Sequence, residues 1–282
     1  MKSQQSEPSH TNKKMSQETN ENSPLKSKEK FHWGTRQTFV LLSFCGYACR
    51  YAMRANLSVA IVAMVQNADY KNDSNIGTEC PALISTPEDQ SPNNEGWKYN
   101  WDSKQQGLIL GAFYFGSVAT QIPGGILAEK YGGKWVFGIG TLSSAIMTLL
   151  APLASKAGFG FLMACRIFAG LGEGMTYPAM HSMMSKWVPL NERSKYVTLI
   201  TIGTQFGTII SMALSGPMSA HIIWQSTFYL FGALSCAWFL FWYLLVSNTP
   251  QTHPRITRKE LDYIVNNIIE TKNDNLPFPP LR

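Results

Sequence analysis

The chain has 282 residues, 45% hydrophobic and only 15% charged, with a formal net charge of +6. Its 12% aromatic content excludes a disordered or collagen-like chain, and five Cys without metal-type spacing exclude a disulfide or zinc scaffold. The mean hydropathy of -0.09 would suit a soluble protein, but the polarity is segregated along the chain.

Residues 1–36 are a Ser/Asn/Lys/Glu-rich tail, expected to be disordered. The first apolar block, about 38–64, is not a cleaved signal peptide, because the tail precedes it and no small-residue cleavage site follows. Residues 66–104 are polar and contain Asn72-Asp73-Ser74, a glycosylation sequon useful only on the extracellular or luminal side. Cys80 is the only cysteine clearly in that loop, so no internal disulfide is expected there. Five more apolar blocks follow at about 105–128, 135–154, 158–185, 196–218 and 225–246. Crossing the hydrocarbon takes about 20 residues, so all six blocks qualify as membrane helices. They lack the polar stripe of a soluble helix. Gly111, Gly116, Gly124, Gly125, Gly170, Gly172 and Gly174 favour close helix packing in lipid. Residues 247–282 are polar again and are expected to form a cytosolic connector.

Lys and Arg set the orientation. Seventeen lie in the two tails and in the second-to-third and fourth-to-fifth connections, against four on the other side: Lys71, Lys98, Lys104 and Lys156. Both termini are therefore expected in the cytosol. The basic excess is explained by orientation and anionic lipid, and no nucleic-acid module accompanies it.

Three basic residues remain inside the blocks, Arg50, Arg54 and Arg166, with one acid, Glu173. A charge at mid-membrane costs about 2.5–3.5 kcal/mol, so such groups usually face a cavity and have a function. Arg54 lies far from either end of its helix. Arg50, one turn earlier, is either a second cavity charge or a local partner. Arg166 and Glu173 are seven apart and share a helix face; they either pair internally or contact substrate and coupling ion separately. His181 is a candidate proton relay or a packing residue. Three positive charges against one negative predict an anionic cargo, since Arg grips carboxylate or phosphate bidentately.

Several motifs occur in order. Gly125-Ile-Leu-Ala-Glu129-Lys130-Tyr-Gly-Gly-Lys134 resembles the major facilitator loop signature, with Glu for Asp and Gly for one Arg. More specific are Tyr51-Ala-Met-Arg54-Ala-Asn56-Leu-Ser, Gly111-Ala-Phe-Tyr-Phe-Gly116 with Gln121-Ile-Pro-Gly-Gly125, Gly170-Leu-Gly-Glu173-Gly-Met-Thr-Tyr-Pro178-Ala-Met-His181, and Trp187-Val-Pro-Leu-Asn-Glu192-Arg193-Ser-Lys195. From about Arg36 to Ile264 the chain resembles the anion:cation symporter family of sialin, vesicular glutamate transporters and sodium/phosphate cotransporters. One departure is Leu110, where the vesicular glutamate type has histidine, which moves the resemblance towards sialin-like or phosphate-type members.

The resemblance implies an all-α membrane protein: six transmembrane helices over 37–246, forming the N-terminal half of a major facilitator fold as two three-helix repeats. It implies alternating access, with Arg54 and Arg166 binding substrate and Glu173, with His181, in coupling. Glu129, Lys134, Glu192 and Arg193 would brace the cytosolic gate. The expected function is symport of inorganic phosphate or of organic anions such as sialate, coupled to sodium or protons. The alternative is a truncated form that binds or regulates a full-length partner. The partners are then the small anion, the lipid bilayer and the missing C-terminal six-helix half; nucleic acid is not among them. No enzyme motif, catalytic residue, metal ligand or cofactor is expected. The tail lacks a dileucine signal, which favours the plasma membrane over lysosomal or vesicular membranes.

Overall fold

The computed structural model describes residues 34–65 and 97–274. Asn72 and Cys80, with residues 1–33 and 275–282 of the two tails, lie outside the described residues. Among the described residues eight α-helices follow one another: α1 (Thr35–Met64), α2 (Ser103–Tyr131), α3 (Gly133–Ala157), α4 (Phe159–Gly174), α5 (Thr176–Trp187), α6 (Leu190–His221), α7 (Trp224–Leu245) and α8 (Arg258–Asp274). Local signals explain the boundaries. Asp102 accepts from the Ser103 amide and caps α2 in a box with Gln105. Gly132, at a φ of 93°, and Gly158, at 129°, allow the tight turns into α3 and α4.

The fourth apolar block is one span divided into two helices. Pro178 has no N–H to donate to the Gly174 carbonyl, and the ladder parts there, leaving α4 and α5 on either side of Met175. Among the described residues three helices are long and apolar enough by themselves to cross a membrane: α3, α6 over Leu190–Ser219, and α7. α1 and α2 have the length, at 30 and 29 residues, but their polar and small residues dilute the hydropathy. Counting α4 and α5 together, six spans run from Thr35 to Leu245, followed by the amphipathic α8 in the connector.

The packing is interlaced. α1 lies mainly against α6 and α7, whereas α4 lies mainly against α2 and α3. Each three-helix repeat therefore lends its first helix to the other repeat, and α1 and α4 come to occupy equivalent places. Glycine makes both crossings close. A Cβ on Gly170 would strike the Phe113 carbonyl, and one on Gly207 would strike the Ala48 carbonyl. Gly116 and Gly174 likewise meet backbone across α2 and α4, whereas Gly111 has open space around it and plays no part in packing. Polar side chains stitch the same crossings: Thr120 Oγ1 donates to the Leu171 carbonyl at 2.8 Å, and Ser211 Oγ to the Ala52 carbonyl at 2.8 Å.

The end of the bundle nearest α8 is filled by aromatic rings. Phe39 stacks on Trp187 at 5.2 Å, and Trp242 lies 4.8 Å from Phe137 and 5.2 Å from Trp238. A second cluster at the opposite end joins Leu57, Ile61, Met64, Leu162, Trp224 and Phe228. The intramembrane charges lie between the two clusters.

Candidate functional site

Arg50 is level with Glu173, and Arg54 shares a cavity with Arg166. Advancing on α1 thus matches retreating on α4, so the two helices run in opposite directions. Four residues raise Arg54 about 6 Å above Arg50, and seven separate Arg166 from Glu173 by about 10.5 Å of helix. That rise is too long for an ion pair within α4. It sorts the four charges into two levels.

The first level is sealed. Arg50 Nη2 lies 3.0 Å from Glu173 Oε1, and the two residues are 1% and 3% exposed. The Arg50 guanidinium also faces the rings of Tyr47 and Tyr177, each 5.0 Å away. Thr176 Oγ1 donates to the Glu173 carbonyl at 2.5 Å, beside the α4–α5 break. Arg50 is therefore a local partner of Glu173 and does not line the cavity. Opposite charge and two π-faces offset the desolvation that either ion alone would suffer.

The second level is open. A cavity of about 420 Å³ is lined by Arg54 and Arg166, by Tyr51, Leu57 and Ser58 of α1, by Leu110, Phe113 and Tyr114 of α2, and by Thr208 and Met212 of α6. No carboxylate is among the lining residues. The Arg54 guanidinium sits over the rings of Tyr114 at 4.4 Å, Phe113 at 5.0 Å and Tyr51 at 5.6 Å. Arg166 is buried, lies 5.8 Å from the Phe228 ring, and has an Nη2 atom without a partner. An unsatisfied buried guanidinium nitrogen is costly, and an anion entering the cavity would satisfy it.

The remaining candidates lie elsewhere. His181 is exposed on α5 and has no hydrogen-bond partner among the described residues. Glu129 is exposed at the end of α2 and does not meet Lys134, whose Nζ donates to the Tyr243 carbonyl at 2.9 Å. Arg193 donates to the Ser185 carbonyl at 3.5 Å. Glu192 reaches across the bundle: its Oε2 is 2.7 Å from Arg36 Nη1, and its Oε1 accepts from Tyr263 of α8 at 3.1 Å. Arg36 lies over the rings of Tyr196 and Tyr263, at 5.4 and 5.5 Å. Glu260 completes this clasp by accepting from the first amides of α1, Thr35 N at 3.2 Å and Arg36 N at 2.9 Å. Burial and the neighbouring Glu192 carboxylate push the Tyr263 phenol above its ordinary value.

Sequence reasoning missed the aromatic residues. Tyr47, Tyr51 and Tyr177 decide which arginine is sealed, and Phe113 and Tyr114 frame Arg54. The spacing of Tyr47 and Tyr51 against Arg50 and Arg54, each pair one turn apart, was the available signal. Nothing in the sequence joins Tyr51 to Tyr177, whose hydroxyls are 2.5 Å apart. Glu260, in the connector, had no visible partner at all.

Residues 43–279 match the Major Facilitator Superfamily. The chain is 43% identical to Homo sapiens sialin over 248 residues, which cover 87% of this chain and 50% of that protein. It is 36% identical to Danio rerio vesicular glutamate transporter 3, over 84% of this chain and 38% of that protein. The chain thus spans about half the length of these curated relatives or less. Among solved structures, the inward-open xylose transporter XylE from E. coli superposes with a TM-score of 0.59 at 15% identity, covering 86% of this chain and 58% of that one. At that identity the likeness concerns the fold alone.

Proposed function

The chain belongs to the Major Facilitator Superfamily, and on that premise we propose that it is the arginine-bearing six-helix unit of a secondary transporter for small anions. The observation that carries this reading is the shared cavity of Arg54 and Arg166, which has no carboxylate in its wall. A cavity with surplus fixed positive charge in a low-dielectric surround attracts an anion and repels a cation.

The wall favours an organic anion over inorganic phosphate. Ser58 and Thr208 have already donated their hydroxyls to backbone carbonyls, and Tyr51 has engaged Tyr177. Leu57, Leu110, Phe113 and Met212 offer apolar surface. A carboxylate held by the guanidiniums, with its carbon skeleton against that surface, leaves fewer polar atoms unsatisfied than a phosphate would. Coupling to sodium or a proton is assigned to Glu173, the one acid at this depth. The vesicular relative is named for an intracellular compartment, so the relatives lend no weight to the plasma membrane.

Purified chain in lipid nanodiscs, titrated with sialate, glutamate and phosphate, tests the reading, alongside radiolabelled uptake in proteoliposomes. Arg54→Ala and Arg166→Ala should each weaken binding about tenfold to a hundredfold, since a hydrogen bond to a charged group contributes about 1.5–3 kcal/mol. Affinity unchanged by both substitutions overturns the assignment of the cavity.

A second reading is favoured by the surface beside the cavity. Phe115 and Ile122 of α2 are 73% and 80% exposed, and Leu199, Ile202, Phe206 and Ile209 of α6 form a matching exposed ridge. These apolar faces belong to the two helices that, with α1, supply most of the cavity wall, which makes them the faces a second six-helix unit would cover in place of lipid. The chain would then bind a partner and transport only with it. Binding without uptake, and uptake regained on co-expression with a C-terminal half of a relative, would distinguish this reading from autonomous transport.

A further inference from the structure

The two charge levels are not independent, because one aromatic side chain belongs to both. Tyr51 lines the cavity, and its ring lies 5.6 Å from the Arg54 guanidinium. Its hydroxyl meets that of Tyr177 at 2.5 Å. The Tyr177 ring in turn faces the Arg50 guanidinium at 5.0 Å, and Arg50 holds Glu173. Tyr177 stands on α5, one residue past Thr176, at the break that divides the fourth span. A continuous path therefore runs from Arg54 through Tyr51, Tyr177 and Arg50 to Glu173.

We propose that the Tyr51–Tyr177 hydrogen bond is the coupling element that lets the anion cavity and the Arg50–Glu173 pair sense each other; this rests on the cavity being an anion site. An anion drawing the Arg54 guanidinium towards itself removes a cation from the Tyr51 ring and frees that ring to turn. The hydroxyl bond transmits the turn to Tyr177, and so to the ring covering Arg50. Tyr177 lies two residues past Met175, the turn residue that joins α4 to α5 at helical dihedrals (φ −72°, ψ −19°), so the change is delivered at the junction of the two helices. Tyr51 and Tyr177 act as positioning residues: each works through an arginine, and the bond between them carries the coupling. Of the charged and titratable groups around Glu173, α1 supplies Arg50, Tyr47 and Tyr51, α5 supplies Tyr177, and α4 itself supplies Arg166. None of the others makes a hydrogen bond between the two levels.

A double-mutant cycle tests this, since a coupling energy appears as non-additivity whatever each single change does alone. Wild-type chain, Glu173→Gln, Tyr51→Phe and Tyr177→Phe, and each Phe variant combined with Glu173→Gln, would be placed in nanodiscs. Their sialate and glutamate affinities would be measured by calorimetry. Phe keeps both rings and removes only the hydroxyls. Glu173→Gln should shift anion affinity at least fivefold in the wild-type background and less than twofold in either Phe background. Tyr47→Phe, which leaves the dyad intact, should retain the full Glu173→Gln shift and serves as the control for merely local aromatic change. The proposal is overturned if Glu173→Gln shifts affinity equally with and without the hydroxyls, or has no effect in the wild-type background. Wild-type chain that binds none of the anions, or binds them as well after Arg54→Ala and Arg166→Ala, overturns the anion reading itself and the coupling role with it.

Discussion

Arg50 and Arg54 stand one turn apart on the same helix, yet Arg50 is 1% exposed with Glu173 at 3.0 Å, whereas Arg54 looks into a cavity of about 420 Å³ and meets only aromatic rings. Both are cations inside the bundle, about 6 Å apart along the helix, and that rise alone does not decide their roles. The neighbours do. α4 places a carboxylate opposite the lower arginine and a second guanidinium beside the upper one. A paired charge in a dry site fixes structure, and an unpaired charge beside a cavity is available to a ligand. The two regions together show how one helix can hold an anchor and a cavity-lining cation on nearly the same face.

The contrast can be broken most forcefully at the anchor. Arg50→Met leaves Glu173 buried without its counter-charge and should cost about 3–5 kcal/mol in stability. Thermal unfolding in detergent, followed by tryptophan fluorescence, would measure it. Arg50→Met with Glu173→Met should recover most of that loss, because no uncompensated ion remains. The cavity behaves oppositely. Arg54→Lys should leave the unfolding midpoint nearly unchanged while weakening anion binding about tenfold, because an ammonium does not form the bidentate contact; titration calorimetry beside the melting curve separates the two effects.

The clasp at the α8 end sharpens the comparison from outside the membrane. Its Arg36–Glu192 pair has side chains 15% and 31% exposed, so Glu192→Gln should cost only about 0.2–1 kcal/mol, and less at high salt. The smallest effect concerns Tyr263. Its phenol titrates above the ordinary value, chiefly through burial and then through Glu192. A group whose folded pKa is raised contributes stability that is present below its unfolded pKa and lost as pH rises through the folded one. Melting midpoints should therefore fall above about pH 10, the ordinary tyrosine value. Tyr263→Phe should remove that part of the decline.

Much of the fold was legible residue by residue. Apolar length marked the spans, and Gly116, Gly170 and Gly174 announced close crossings that the structure places against neighbouring backbone. Pro178 stands within a motif, but its consequence, the division of the span at Met175, depends on the hydrogen bond it cannot make. At the site, the charges stood out because lipid makes them expensive. The seven-residue spacing of Arg166 and Glu173 was silent on whether they pair, since spacing along one helix says nothing of what the neighbouring helix presents. Gly111 shows the same limit: it has the composition of a packing residue but no neighbour.

The sequence by itself determined that the chain is helical and built for a membrane, and which four charges lie within it, because hydrophobic run length and the cost of burying charge are properties of single segments. Only the tertiary structure decided which arginine is an anchor and which lines the cavity, that Tyr51 meets both Arg54 and Tyr177, and that Glu260 and Glu192 hold α8 to α1. Those outcomes are set by which helices the packing brings together. Residues as distant in the chain as Arg36 and Glu192 become partners only once the bundle has closed.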